Sequence, residues 1–238
     1  MRTVGILGGM GPEATVLLMQ KLIAAVPAAD DADHLPLIVD QNPQVPSRIR
    51  FLIERRGEDP GPVLVQMAQR LQAAGVAALA MPCNTAHHFA PAIRAAVSVP
   101  FIDMVELSVS HARALAEPGG KVGILASPAV RRVGLFDAPM AAAGLQPIYA
   151  MDEEATLAAI RRIKAEGPVP SARAALAAAS AALLARGARV QMIACTEFSL
   201  VADAAAPGVT AFDTLDVLVR GIVDFAAEHS AKERLAVT

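Results

Sequence analysis

The chain has 238 residues, enough for one large domain or two lobes of ordinary size. Hydrophobic residues make up 54% of it and aromatics only 3%, so its core must be built from Ala, Val, Leu, Ile and Met. The net charge of −2, with no block of like charge, argues against a nucleic-acid or membrane-surface partner.

The chain opens on a strand-like run, Thr3-Val4-Gly5-Ile6-Leu7, with no basic leader region and no cleavable apolar segment. No later apolar run is long enough to span a bilayer, and a cytoplasmic location is expected. A strand is predicted over Val4–Leu7 and a helix over Pro12–Val26. A strand over Leu35–Val39 and a helix over Pro60–Ala74 follow. Next come a strand over Val76–Met81 and helices over Pro91–Val97 and Met104–Ala116. The second half begins with a strand over Val122–Leu125, then helices over Ala155–Glu166 and Ala172–Ala185. Strands over Val190–Ala194 and Val209–Phe212 and a helix over Leu215–Glu228 complete the chain. Pro12 and Pro60 stand near helix starts, where a missing N–H costs nothing. Gly75 and Gly187 stand just past helical segments, as C′ glycines do. Strands separated by helices imply an α/β fold with parallel sheets.

The two halves resemble each other. Val4-Gly5-Ile6-Leu7 recurs as Val122-Gly123-Ile124-Leu125. Each half then reads as helix, strand, helix, and a strand that runs into a cysteine. Those strands end in Met81-Pro82-Cys83-Asn84-Thr85 and Ile193-Ala194-Cys195-Thr196-Glu197. The pattern predicts two Rossmann-like lobes related by an approximate two-fold. The first is expected over residues 1–100, completed by the helix over 213–230, and the second over 101–212. Ligands of open parallel sheets bind beyond the carboxyl ends of strands. Both cysteines sit there, so a cleft between the lobes would bring them face to face.

These are the only two cysteines. A reducing cytosol makes a structural disulfide poor use of them, and the five histidines are not spaced to complete a metal site, so no metal is expected. Two thiols on opposite faces of a carbon suit a racemisation. One starts as thiolate and takes the α-proton; the other starts as thiol and returns one. An unperturbed thiol titrates at ~8.5, and a helix starting at Asn84 or Thr196 would lower that value and offer N–H groups to an anion.

Four motifs then resemble one family. They are Gly8-Gly9-Met10-Gly11-Pro12-Glu13-Ala14-Thr15, Asn42-Pro43-Gln44-Val45-Pro46-Ser47-Arg48, Pro82-Cys83-Asn84-Thr85-Ala86-His87 and Cys195-Thr196-Glu197. Their order and spacing are similar to the aspartate/glutamate racemase family, over nearly the whole chain. The resemblance implies two pseudosymmetric lobes, a homodimer, and catalysis by Cys83 and Cys195 with no cofactor. It places Met10, Asn42, Asn84, Thr85, Ala86, Thr196 and Glu197 around an acidic amino-acid substrate. It assigns Arg48 and Lys164 to the substrate's side-chain carboxylate, which a guanidinium fork and a movable ammonium suit.

Some positions depart from that family. The turn Ala126-Ser127-Pro128-Ala129 replaces a Thr- and Gly-containing one, and Pro128 removes a backbone donor. Ala194 stands where a Gly is usual, and Asp152-Glu153-Glu154 where a Gln-containing loop is usual. Other readings compete. Gly9-x-Gly11-x-x-Ala14 with Asp40 could form a dinucleotide site, which would make the chain an oxidoreductase but leave both cysteines unexplained. Maleate isomerase, hydantoin racemase and arylmalonate decarboxylase are nearer rivals, and a non-catalytic dicarboxylate-binding module is a third class. His87 and His88 suit packing or surface roles better than catalysis. Glu13 and Glu197 could tune neighbouring pKa values.

Overall fold

The computed structural model describes residues 1–236. The first half runs β1 (Val4–Gly8), α1 (Pro12–Ala25), β2 (Leu37–Gln41), α2 (Arg48–Leu52), α3 (Gly61–Ala73), β3 (Ala78–Ala80), α4 (Ala90–Ala96), β4 (Phe101–Ile102) and α5 (Met104–Leu115). The second runs β5 (Lys121–Ala126), α6 (Pro128–Arg132), α7 (Asp137–Ala142), β6 (Gln146–Tyr149), α8 (Glu153–Glu166), α9 (Pro170–Ala185), β7 (Val190–Ala194), α10 (Thr196–Ser199), β8 (Thr210–Asp213) and α11 (Thr214–Ala236). No helix among the described residues is long and apolar enough to cross a membrane.

The strands form two sheets, ordered β2-β1-β3-β4 and β6-β5-β7-β8, with every pairing parallel. The same order in each half makes the second lobe a structural repeat of the first. This is the two-lobed α/β architecture that the repeated strand-to-cysteine pattern predicts. Central strands covered on both faces need continuous apolar runs rather than alternation. β1 accordingly buries all five residues, and β5 buries all but Lys121. β1 pairs Val4 with Leu37 on one side and with Ala78 on the other, which puts the ends of β1 and β3 at one level.

Several elements were not legible as strands or helices. β6 contains Pro147, which cannot donate to a ladder and so belongs on an edge; here β6 pairs with β5 alone, at the end of its sheet. β4 is two residues between Pro100 and Asp103, too short to show any period. α2, α6 and α10 are turns of four or five residues, and α7 carries Pro139. β3 is also shorter than its apolar run, ending at Ala80.

The helices that follow the two edge strands are exchanged. α5 follows β4 of the first sheet, yet Val105, Val109 and Ala112 pack into the core around β5 and β7 of the second. α11 follows β8 of the second sheet, yet Leu215, Leu218, Val219 and Ile222 pack with Val4, Ile6, Leu18 and Leu22 of the first. Lys21 of α1 pairs with Asp216 of α11 at 2.5 Å, and Arg2 Nε donates to the Phe225 carbonyl at 2.9 Å. α5 and α11 cross closely at Gly221, where a methyl group would meet Leu107 Cδ1 at 2.5 Å. This exchange fixes the lobes against each other and so fixes the cleft between their strand ends.

Candidate active site

The loops at the carboxyl ends of β1, β2, β3, β5 and β7 meet at a cleft of about 760 Å³. Cys83 follows β3 and Cys195 follows β7, one from each lobe, and both line it. So do Met10, Arg48, Thr85, Lys164 and Glu197. The other residues singled out in the sequence lie behind this lining. Asn84, Ala86 and Thr196 are buried, and Asn42 sits against the turn after β1.

That turn depends on Gly9. Its φ is +91°, and a Cβ there would lie 2.4 Å from the backbone carbon of Asn42. Its N–H is taken by Thr15 Oγ1 at 2.9 Å, which ties the turn to α1. Gly9→Ala is therefore expected to cost about 1–3 kcal/mol of stability, the usual range for a residue forced into a sparsely populated conformation. The measurement is a urea titration: the midpoint should fall with the slope unchanged.

Each cysteine is set by its own surroundings. Asn84 Nδ2 donates to Thr214 Oγ1 at 3.0 Å, and Thr214 Oγ1 donates to the Ile193 carbonyl at 3.0 Å. This chain runs from the residue beside Cys83 to the strand that ends at Cys195. His87 is fully buried behind Cys83. Met104 N–H donates to its Nε2 at 3.2 Å, so its proton sits on Nδ1, which donates to the Cys83 carbonyl at 2.8 Å. Burial holds its pKa below the ordinary range despite the nearby Asp103. His87 is thus a neutral positioning group, while His88 is exposed and packs edge-on against Phe89.

Cys195 Sγ donates to Glu197 Oε2 at 3.0 Å. Glu197 Oε1 forms an ion pair with Lys164 Nζ, from α8. Burial, then the Glu197 carboxylate, pushes the Cys195 thiol well above its ordinary range; Lys164 opposes this more weakly. Here the sequence-based expectation of a lowered value is corrected. The helix that starts after Cys195 has four residues, too few to carry a strong dipole, and burial outweighs it. Burial also works to lower the Lys164 pKa, but Glu197 wins and holds it above the ordinary value.

At the mouth, Glu54 beside α2 accepts from Arg56 at 2.7 Å and pairs with Arg161 of α8 at 3.2 Å, which spans the two lobes. Arg48 Nη1 donates to the carbonyls of Val45 and Pro46 at 3.2 and 3.0 Å; among the described residues it has no carboxylate partner. Ser127, which the sequence marked only as part of a turn that departs from the family, lines the cleft, and its Oγ lies 3.1 Å from Thr85 Oγ1 across the lobes. Its place just past β5, matching the turn after β1, was the available signal. Pro128 begins α6 at its first position, where a donor is not needed.

Residues 7–222 match the family described as Asp/Glu/Hydantoin racemase. The chain belongs to that family. The broad specificity amino-acid racemase RacX of Bacillus subtilis is 26% identical over 152 residues, which cover 61% of this chain and 63% of RacX. The chain therefore spans less than two thirds of that relative. Among solved structures, Picrophilus torridus aspartate racemase superposes with a TM-score of 0.85 at 23% identity, over 95% of each chain. Glutamate racemase from Francisella tularensis, in complex with D-glutamate, superposes at 0.67 with 15% identity, over 96% of this chain and 82% of that one. At these identities the likeness establishes the racemase fold. The dinucleotide reading gains nothing from the geometry: Asp40 does not line the racemase-family cleft and is held by Arg70 at 2.6 Å.

Proposed function

We propose that this chain is a racemase of an acidic amino acid, aspartate first, working through two thiols without pyridoxal phosphate, nucleotide or metal. The observation that carries the proposal is that Cys83 and Cys195, from matching strand ends of the two lobes, line one cleft. A thiolate on one face takes the α-proton, breaking the C–H bond and forming S–H. The thiol on the other face then protonates the carbanion, giving the opposite enantiomer. Positioned acids and bases of this kind work best when their pKa values lie near the working pH.

Support for an acidic substrate comes from the cleft's charges. Among the described residues, Arg48 holds a guanidinium toward the cleft with backbone oxygens as its partners, so a substrate carboxylate can engage it. Lys164 supplies a second cation that can move. In this reading Met10, Thr85 and Glu197 line the substrate, and Asn42, Asn84, Ala86 and Thr196 shape the walls behind them. The likeness to RacX favours a wider range of amino acids as the second reading. The exposed stripe Val16, Met19 and Ile23 on α1 supports a homodimer.

The test is incubation with L- and D-aspartate, L- and D-glutamate and alanine in deuterium oxide, followed by chiral chromatography and NMR. Both enantiomers of the true substrate should reach the same equal mixture with deuterium at Cα, and dialysis against a chelator should change nothing. Activity that disappears on such dialysis and returns with zinc would refute the cofactor-independent mechanism.

A further inference from the structure

The two thiols do not have equivalent neighbours. Two residues after Cys195 stands Glu197, whose carboxylate accepts from Sγ at 3.0 Å. Two residues after Cys83, at the matching place in the first lobe, stands Thr85, whose hydroxyl is engaged with Ser127. Glu197 in turn is held by Lys164, which lines the same cleft as both sulfurs. A pseudosymmetric fold thus carries a chemically asymmetric pair.

We propose that Glu197 is a positioning residue that makes the two thiols unequal, holding Cys195 as the protonated partner at rest. This rests on the two-thiol reading above. In the first half-reaction the Cys83 thiolate takes the Cα proton and the Cys195 S–H bond breaks to supply the other face. The enzyme is then left with Cys83 protonated and Cys195 as thiolate beside a carboxylate. A proton must pass from one sulfur to the other through solvent before the next turnover in the same direction. Lys164 links this to the substrate. When it turns from Glu197 to a side-chain carboxylate, Glu197 loses its counter-charge and holds the Cys195 proton more tightly.

Other charged groups around Cys195 do not duplicate this role. Glu13, at the start of α1, faces the same corner of the cleft beside Gly11, with its carboxylate nearer the glycine than Lys164 is. Asp213, at the end of β8, is pushed up to about 6 by burial and is engaged with Ser199 Oγ at 2.9 Å and Leu215 N–H at 2.8 Å. Glu197 is the carboxylate bonded to the thiol itself.

Because L- and D-amino acids have equal free energy in water, kcat/KM must be the same in both directions. The asymmetry is therefore read from the thiol, without substrate. In a Cys83→Ala background the ultraviolet thiolate absorbance reports Cys195 alone. Adding Glu197→Gln should move its titration to lower pH, and adding Lys164→Met should move it to higher pH. Alkylation by iodoacetamide at neutral pH gives a second reading. A gain of about tenfold in thiolate should appear as about a threefold gain in rate, because a less basic thiolate is a weaker nucleophile. Opposite shifts from the two variants support the proposal, since loss of packing would not reverse sign between them. An unmoved or upward titration in Glu197→Gln overturns it. Failure of the wild-type protein to exchange the α-proton of any amino acid would strike the racemase reading instead, so the two failures are distinguishable.

Discussion

Replacing either Cys83 or Cys195 by alanine is expected to lower racemisation by at least ~10²–10⁴, the usual weight of a positioned acid or base. Both side chains are small and almost fully buried, so alanine leaves little void and the fold should persist, as circular dichroism would show. The loss should not be uniform. The surviving sulfur, once ionised, can still take the α-proton from the enantiomer that faces it and return a solvent deuteron to the same face. Cys83→Ala and Cys195→Ala should then prefer opposite enantiomers in deuterium wash-in without inversion. NMR loss of the α-proton signal from pure L- and pure D-aspartate measures this. Near wild-type racemisation by either folded variant would defeat the two-thiol mechanism.

The second large effect is expected at Arg48. Arg48→Ala should weaken aspartate binding by about tenfold to more than a hundredfold, because a charge-assisted hydrogen bond contributes roughly 1.5–3 kcal/mol. The same guanidinium donates to the Val45 and Pro46 carbonyls, so its removal also loosens the loop that leads into α2. Two comparisons separate these effects. With alanine as substrate, which has no side-chain carboxylate, the loss should be much smaller. Arg48→Lys keeps the charge but not the fork and should fall between wild type and Arg48→Ala. Equal losses for aspartate and alanine would show that Arg48 holds the loop and does not read the side chain.

The lobes and the cysteines were legible because they rest on long-wavelength features of the sequence. Buried parallel strands leave uninterrupted apolar runs such as Val4–Leu7 and Val122–Leu125, and a repeat of element order survives even where residues diverge. The short elements were not legible, since β4 has two residues and α10 has four, less than any period needs. The chemistry of the site was half legible. Residue types at strand ends pointed to Cys83 and Cys195, and the family resemblance pointed to Arg48 and Lys164; each of the four lines the cleft. What the sequence did not reveal is pairing: Glu197 stands between Cys195 and Lys164, and Ser127 reaches Thr85, through contacts separated by up to 42 residues. The direction of the Cys195 shift followed from the same gap. A strand end reads as a promising place for a thiolate, but burial and a carboxylate neighbour decide the sign once the chain is folded.

The exchange of α5 and α11 has a consequence for how the molecule is made. During synthesis the first sheet leaves the ribosome early, but the cluster of Val4, Ile6, Leu18 and Leu22 is completed by Leu215, Leu218, Val219 and Ile222, which come last. The second sheet meets its borrowed helix in the opposite order, because α5 is already present when β5 and β7 emerge. The later half can therefore consolidate first, while the earlier half waits as a partly open intermediate with apolar surface exposed. Such long-range closure slows folding and gives chaperones a window in which to bind. A released chain truncated after Asp213 should keep a second sheet that resists proteases while its first sheet does not.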